Sequence, residues 1–194
     1  RFGGGSALLL ALPVLAAAIG IGSFLFHTYA ERWAGIADVA PIAVFMLTGV
    51  YIVFRRLFEA PIWASWLATA GFVGLMIALP AASRALGLGL GAGAGYAPAL
   101  LTLLGAGGVL ALQGRPGGRD LFAAGAVFTA SLTLRTLDLP LCDATAIGAG
   151  EPIGLHFLWH ILNAVTLFLV IRASLGPALA GRAGGGGAPG AAAA

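Results

Sequence analysis

Apolar residues fall in long unbroken blocks along this chain, not in the alternating or one-faced patterns of a water-soluble fold. A transmembrane helix needs about 20 mainly apolar residues at 1.5 Å of rise each. Six runs meet or approach that length: Ser6–Ala30, Ala34–Phe54, Pro61–Leu79, Tyr96–Leu112, Leu121–Leu137 and Ile153–Ala173. Charged or turn-forming clusters separate them, namely Glu31-Arg32-Trp33, Arg55-Arg56, the glycine-rich stretch Gly87–Gly95, the segment from Arg115 to Asp120, and Pro140–Pro152. The pattern predicts an all-α, polytopic membrane helix bundle of six spans within residues 1–175. A disordered Gly/Ala-rich tail is expected over 176–194. The first run is longer than the apolar core of a signal peptide, and no small-x-small cleavage site follows it, so it reads as a retained span.

Composition removes other classes. Of 194 residues, 60% are apolar and 9% charged, against about 25% charged in a soluble domain. Too few polar side chains exist to cover a water-facing globule, which excludes a soluble enzyme and a disordered chain. All ten basic residues are arginines, and they are scattered. No cluster can neutralise several phosphates, so nucleic acid is not expected as a partner. The single cysteine, Cys142, excludes an internal disulfide and a Cys-rich metal site. The Gly87–Gly95 run follows no strand and is no phosphate loop.

Arginine placement predicts orientation. With six spans, Arg1, Arg55, Arg56, Arg115, Arg119, Arg172 and Arg182 share one side. Arg32, Arg84 and Arg135 share the other with Glu31, Asp143 and Glu151. Seven arginines against three put both ends of the chain, the C-terminus included, in the cytoplasm.

Ionisable side chains inside a span are costly and mark function. All three histidines lie in predicted spans. His156 and His160 stand at i and i+4, on one face of the last helix. His27 ends the first helix, with Ser23 one turn earlier on the same face, and Asp38 opens the second. The first helix runs outward while the second and last run inward. These five residues are therefore expected at one level near the non-cytoplasmic face.

Three neutral imidazoles with an open fourth position make a catalytic zinc site. Zinc acidifies a bound water and polarises a carbonyl. The His-x-x-x-His pair lacks the glutamate of the His-Glu-x-x-His proteases, which leaves Asp38 as the carboxylate at the right depth for a general base. The Ser23 hydroxyl is placed to donate to an oxyanion or to hold the water. Helix packing, haem ligation and proton relay are the competing roles for intramembrane histidines. Asn163, one turn beyond His160, is a candidate to orient an imidazole or to bond across helices. Arg135 and Asp138, at i and i+3, are expected to pair with each other. Trp33, Trp63, Trp66 and Trp159 read as interface anchors or packing, and Glu59 as a solvated loop charge.

The motif Gly20-Ile21-Gly22-Ser23-Phe24-Leu25-Phe26-His27, followed by Asp38-x-x-Pro41-Ile42, resembles the alkaline ceramidase family. His156-Phe-Leu-Trp-His160-Ile-Leu-Asn163 is similar to that family's final-helix motif, and Arg135-x-x-Asp138-x-x-x-Cys142 fits its bacterial members. The family belongs to a superfamily of seven-span membrane hydrolases that includes the adiponectin-receptor type. The resemblance runs from about Gly20 to Arg172. It implies that His27, His156 and His160 hold zinc, with Ser23 and Asp38 completing the site. It also implies hydrolysis of the amide of ceramide-like N-acyl lipids, taken from the bilayer, to a fatty acid and a sphingoid base. Six runs against the family's seven imply that its first helix is missing here. An acidic segment before that helix supplies calcium ligands and a cysteine partner in relatives, so calcium is not assigned and Cys142 is left unpaired. The alternatives in function are a zinc-containing receptor or sensor of the adiponectin-receptor type without amidase turnover, and a haem-binding membrane protein.

Overall fold

The computed structural model describes residues 5–88, 93–146 and 152–184. Six α-helices follow in order: α1 (Gly5–Tyr29), α2 (Arg32–Ile52), α3 (Ile62–Ala85), α4 (Gly93–Leu112), α5 (Gly118–Asp138) and α6 (His156–Gly184). A π turn, Val53–Leu57, prolongs α2. Among the described residues only one isolated β-bridge, Ala146 with Pro152, departs from helix and turn. Arg1, Glu151, residues 89–92 of the glycine-rich stretch and residues 185–194 of the expected tail lie outside the described residues. The last helix continues through Gly184, past the 176 boundary drawn from composition. The third helix likewise passes Pro80 to end at Ala85. A proline removes one backbone donor and strains one turn, and neighbouring turns sustain a long apolar helix around it.

Five of the helices are long and apolar enough to cross a membrane. The sixth, α5, matches them in length but is more polar, because it carries Arg119, Asp120, Arg135, Asp138, one serine and three threonines. Its packing against α6 nevertheless runs the full length of α5. Asp120 meets Arg172 at one end, Ser131 meets Trp159 in the middle, and Asp138 meets Leu155 at the other end. It also lies antiparallel along α4, with Gly118 against Leu110 and Gly125 against Leu104. A helix tied to a spanning neighbour at both ends traverses the same thickness.

Every helix packs against its chain neighbours, and α1 also meets α6, so the six form a closed ring. The α1–α6 contact is the sparsest of these seams. The outer surface is apolar: Phe24, Ile36 and Trp63 are 68%, 68% and 70% exposed. Hydroxyl residues lie inside, among them Ser65, Thr69, Ser131, Thr166 and Ser174. Most donate to a carbonyl one turn back, as Thr69 does to Ser65 and Ser174 to Val170. Such bonds satisfy a hydroxyl where no water can. Apolar outside and satisfied polar within is the arrangement that hydrocarbon solvent demands, and the chain is a multi-pass membrane protein.

Candidate metal centre

The turn between α1 and α2 is only Ala30 and Glu31, with Ala30 in the left-handed region at φ +53°. This short connection folds α2 back along α1 at very close range. A Cβ on Gly22 would stand 2.1 Å from the Ala37 carbonyl oxygen and 2.9 Å from the Asp38 nitrogen. Pro41 lacks the N–H that would ordinarily bond that carbonyl from four residues ahead. The freed Ala37 oxygen therefore lies against Gly22, where only a glycine hydrogen fits, in the manner of a Cα–H···O contact. Gly22 and Pro41 together set the level of Asp38 against Ser23.

His27 stands two residues from the end of α1, and the seam to α6 brings it to His156 and His160. Ring centroids are 5.5 Å apart for His27 and His156, 4.9 Å for His27 and His160, and 4.8 Å for His156 and His160. One ligand atom from each of the three falls within 4.8 Å of the others. Tetrahedral zinc with bonds of about 2.0–2.1 Å spaces its nitrogens about 3.3 Å apart. Inward movement of under about 1 Å per side chain would close the three on one ion. His160 Nε2 is buried and has no hydrogen-bond partner, and a buried, unsatisfied nitrogen aimed into a cluster of ligands fits a metal bond. The rings meet edge to face and leave no slot for a porphyrin between two of them, which weighs against haem.

Asp38 and Ser23 take their place one turn further in. Because α2 begins at Arg32, Asp38 lies in its second turn, about 9 Å from the helix start, and not in the first turn as expected. Ser23 is half-buried one turn before His27, level with Asp38 through the Gly22 contact. The structure brings the three imidazoles together, with Ser23 one turn before His27 on α1 and Asp38 beside it on α2. Asp38 is within electrostatic range of both His156 and His160.

Below the histidines the ring encloses a narrow apolar cavity. It runs along α2 from Ile42 past Phe45 and Gly49 to Val53, with Tyr96 at the upper end and Val170 deep inside. The eleven helical rises from Ile42 to Val53 make it about 16 Å long, close to half of the ~30 Å hydrocarbon core. Asn163 lines this cavity, and His160 Nε2 takes no hydrogen bond from it.

Arg135 and Asp138 do not pair with each other. The Arg135 guanidinium lies over the rings of Trp159 and Tyr96, 5.0 and 5.8 Å from their centroids. Asp138 accepts from the Leu155 N–H and faces His156. Both side chains are drawn off their own helix by better partners on α4 and α6. Trp159 is buried under Arg135, whereas Trp33, Trp63 and Trp66 are exposed. Glu59 is largely solvent-facing, as expected, but also meets Arg115 at 3.2 Å. Spacing alone pointed Asp138 to Arg135, so its place beside a histidine was missed. The glycine at 154, just ahead of the helix, was the available signal.

No family model, curated protein or solved structure matches the chain.

Proposed function

We propose that this chain is a zinc-dependent integral-membrane amidohydrolase of the alkaline ceramidase type. It cleaves the amide of ceramide-like N-acyl lipids to a fatty acid and a sphingoid base or other amine. One observation carries this: three imidazoles from the first and last helices converge above an apolar cavity whose lining begins one to two turns further in and which is about as long as one leaflet's acyl chain. His27, His156 and His160 would hold the ion, which supplies Lewis acidity toward a carbonyl and acidifies water.

The remaining work belongs to the chain itself. His27 is exposed at the sparse α1–α6 seam, so a lipid reaches the centre sideways from the bilayer. Its acyl chain lies along Ile42, Phe45 and Gly49, with the carbonyl held up at the histidines. Asp38 takes a proton from the attacking water as the new carbon–oxygen bond forms. Ser23 donates its hydroxyl hydrogen to the carbonyl oxygen as charge gathers there. The carbon–nitrogen bond then breaks, and Asp38 passes its proton to the departing amine. Water and amide become acid and amine, with the carboxylate restored. By the arginine asymmetry, the centre stands near the non-cytoplasmic face.

The test is turnover of a panel of N-acyl lipids by purified protein carrying stoichiometric zinc, with both products identified by mass. Wild type releases fatty acid and amine; Asp38→Asn keeps zinc and loses turnover; His160→Ala loses both. Zinc bound stoichiometrically with no amide cleaved would sink the hydrolase and favour a receptor.

A further inference from the structure

The start of the last helix is built around Asp138. One carboxylate oxygen, Oδ1, accepts the Leu155 N–H at 2.5 Å. The other, Oδ2, faces His156 Nδ1 at 3.8 Å. Gly154 lets the carboxylate reach this position. Its φ of +71° favours glycine, and a Cβ there would stand 2.8 Å from Oδ1. Thr145 holds the glycine in turn, taking the Gly154 N–H on its hydroxyl at 2.8 Å while donating to the Cys142 carbonyl at 2.6 Å. Asp138, Thr145, Gly154 and Leu155 thus form a clasp that presents one carboxylate oxygen to one imidazole nitrogen.

We propose that Asp138 is a positioning residue that fixes the tautomer and ring orientation of His156, so that Nδ1 carries the proton and Nε2 is free to ligate a divalent metal. This rests on the metal-site assignment above but not on amide turnover. Ligating histidines commonly donate their second ring nitrogen to a carboxylate, which holds the ring and raises its basicity. The contact at 3.8 Å needs to shorten by less than about 1 Å to become a hydrogen bond, a movement similar in size to the one that closes the three imidazoles. The unpartnered Nε2 of His160 gives that histidine the same ligating atom.

Asp138→Asn separates positioning from scaffolding. Its side-chain oxygen still accepts from Leu155 N–H, which keeps the helix start. The amide nitrogen then faces His156 and donates to Nδ1, driving the ring proton onto Nε2, where it blocks the ligating atom. Nitrogen-15 spectra of metal-free protein with labelled histidine read this directly. Wild type shows the Nδ1–H form of His156, and Asp138→Asn shows the Nε2–H form. Zinc affinity, measured by chelator competition, falls 10- to 100-fold in Asp138→Asn, with the melting temperature of the metal-free protein close to wild type. Asp138→Ala loses the helix-start bond as well and melts lower. An unchanged tautomer, or zinc affinity within twofold of wild type in Asp138→Asn, overturns the proposal. If wild type binds no zinc, the metal reading fails, and the tautomer comparison alone still decides the role of Asp138.

Discussion

Replacing Gly22 by alanine adds one methyl group at the tightest crossing in the bundle. The added carbon would sit 2.1 Å from the Ala37 oxygen and 2.6 Å from its carbonyl carbon, all backbone and unable to rotate away. Bringing the closest contact to 3.0 Å or more requires α1 and α2 to part by about 1 Å, and overpacking of this kind costs about 1–3 kcal/mol. The displacement does not stay local. His27 lies five residues along the same rigid helix and moves with it, whereas metal sites tolerate about ±0.2 Å in ligand distance. Gly20, two residues earlier, supplies the control, since a Cβ there meets nothing within 4 Å. Gly20→Ala is therefore expected to be neutral or slightly stabilising, as alanine favours helix by up to about 1 kcal/mol over glycine. Both variants would be compared with wild type by thermal unfolding in detergent and by zinc competition. Gly22→Ala should melt lower and bind zinc at least tenfold more weakly, while Gly20→Ala matches wild type. Equal behaviour of the two alanines would refute the close-crossing argument.

Gly49 faces the cavity with free space beyond its Cα, so Gly49→Leu should shorten the usable acyl chain. Its kcat/KM is expected to fall steeply for long-chain N-acyl substrates and little for short ones, measured with a chain-length series. Asp120 and Arg172 join α5 to α6 far from the histidines, with side chains 28% and 52% exposed. Asp120→Asn should therefore cost no more than about 1 kcal/mol and leave zinc affinity untouched. Ser131→Ala removes the hydroxyl that crosses to the Trp159 carbonyl at 3.1 Å, which should cost about 1 kcal/mol in thermal unfolding. Chelation should lower the melting temperature of wild type but not of His160→Ala, because an ion at 100 times its Kd adds about 2.7 kcal/mol.

The helices were legible because hydrocarbon solvent imposes one rule, a run of apolar residues long enough to cross, that needs no tertiary information. Their ends were less so: the third run, drawn to Leu79, continues through Pro80 to Ala85, and a helix start at Arg32 moved Asp38 inward by a turn. α5 was placed from a weak signal, and its end-to-end ties to α6 account for how a helix with four charges joins the bundle. At the centre, residue type and depth singled out the three histidines, which the fold brings together. Asp138 was not legible in its role, because i, i+3 spacing to Arg135 offers a local partner that two aromatic rings outcompete. The Gly22 crossing depends on a carbonyl released by Pro41 on another helix, and no single-helix pattern encodes that.

The imidazoles come from the two helices that close the ring, and their seam is the one most thinly packed. During synthesis, His27 emerges long before His156 and His160 and waits without companions while the four intervening helices insert. An ion gripped by all three would act as a fastener joining an early and a late segment of the nascent bundle. Metal capture would then have to await the insertion of α6, and chains stalled short of it would be recognisable to quality control as metal-free.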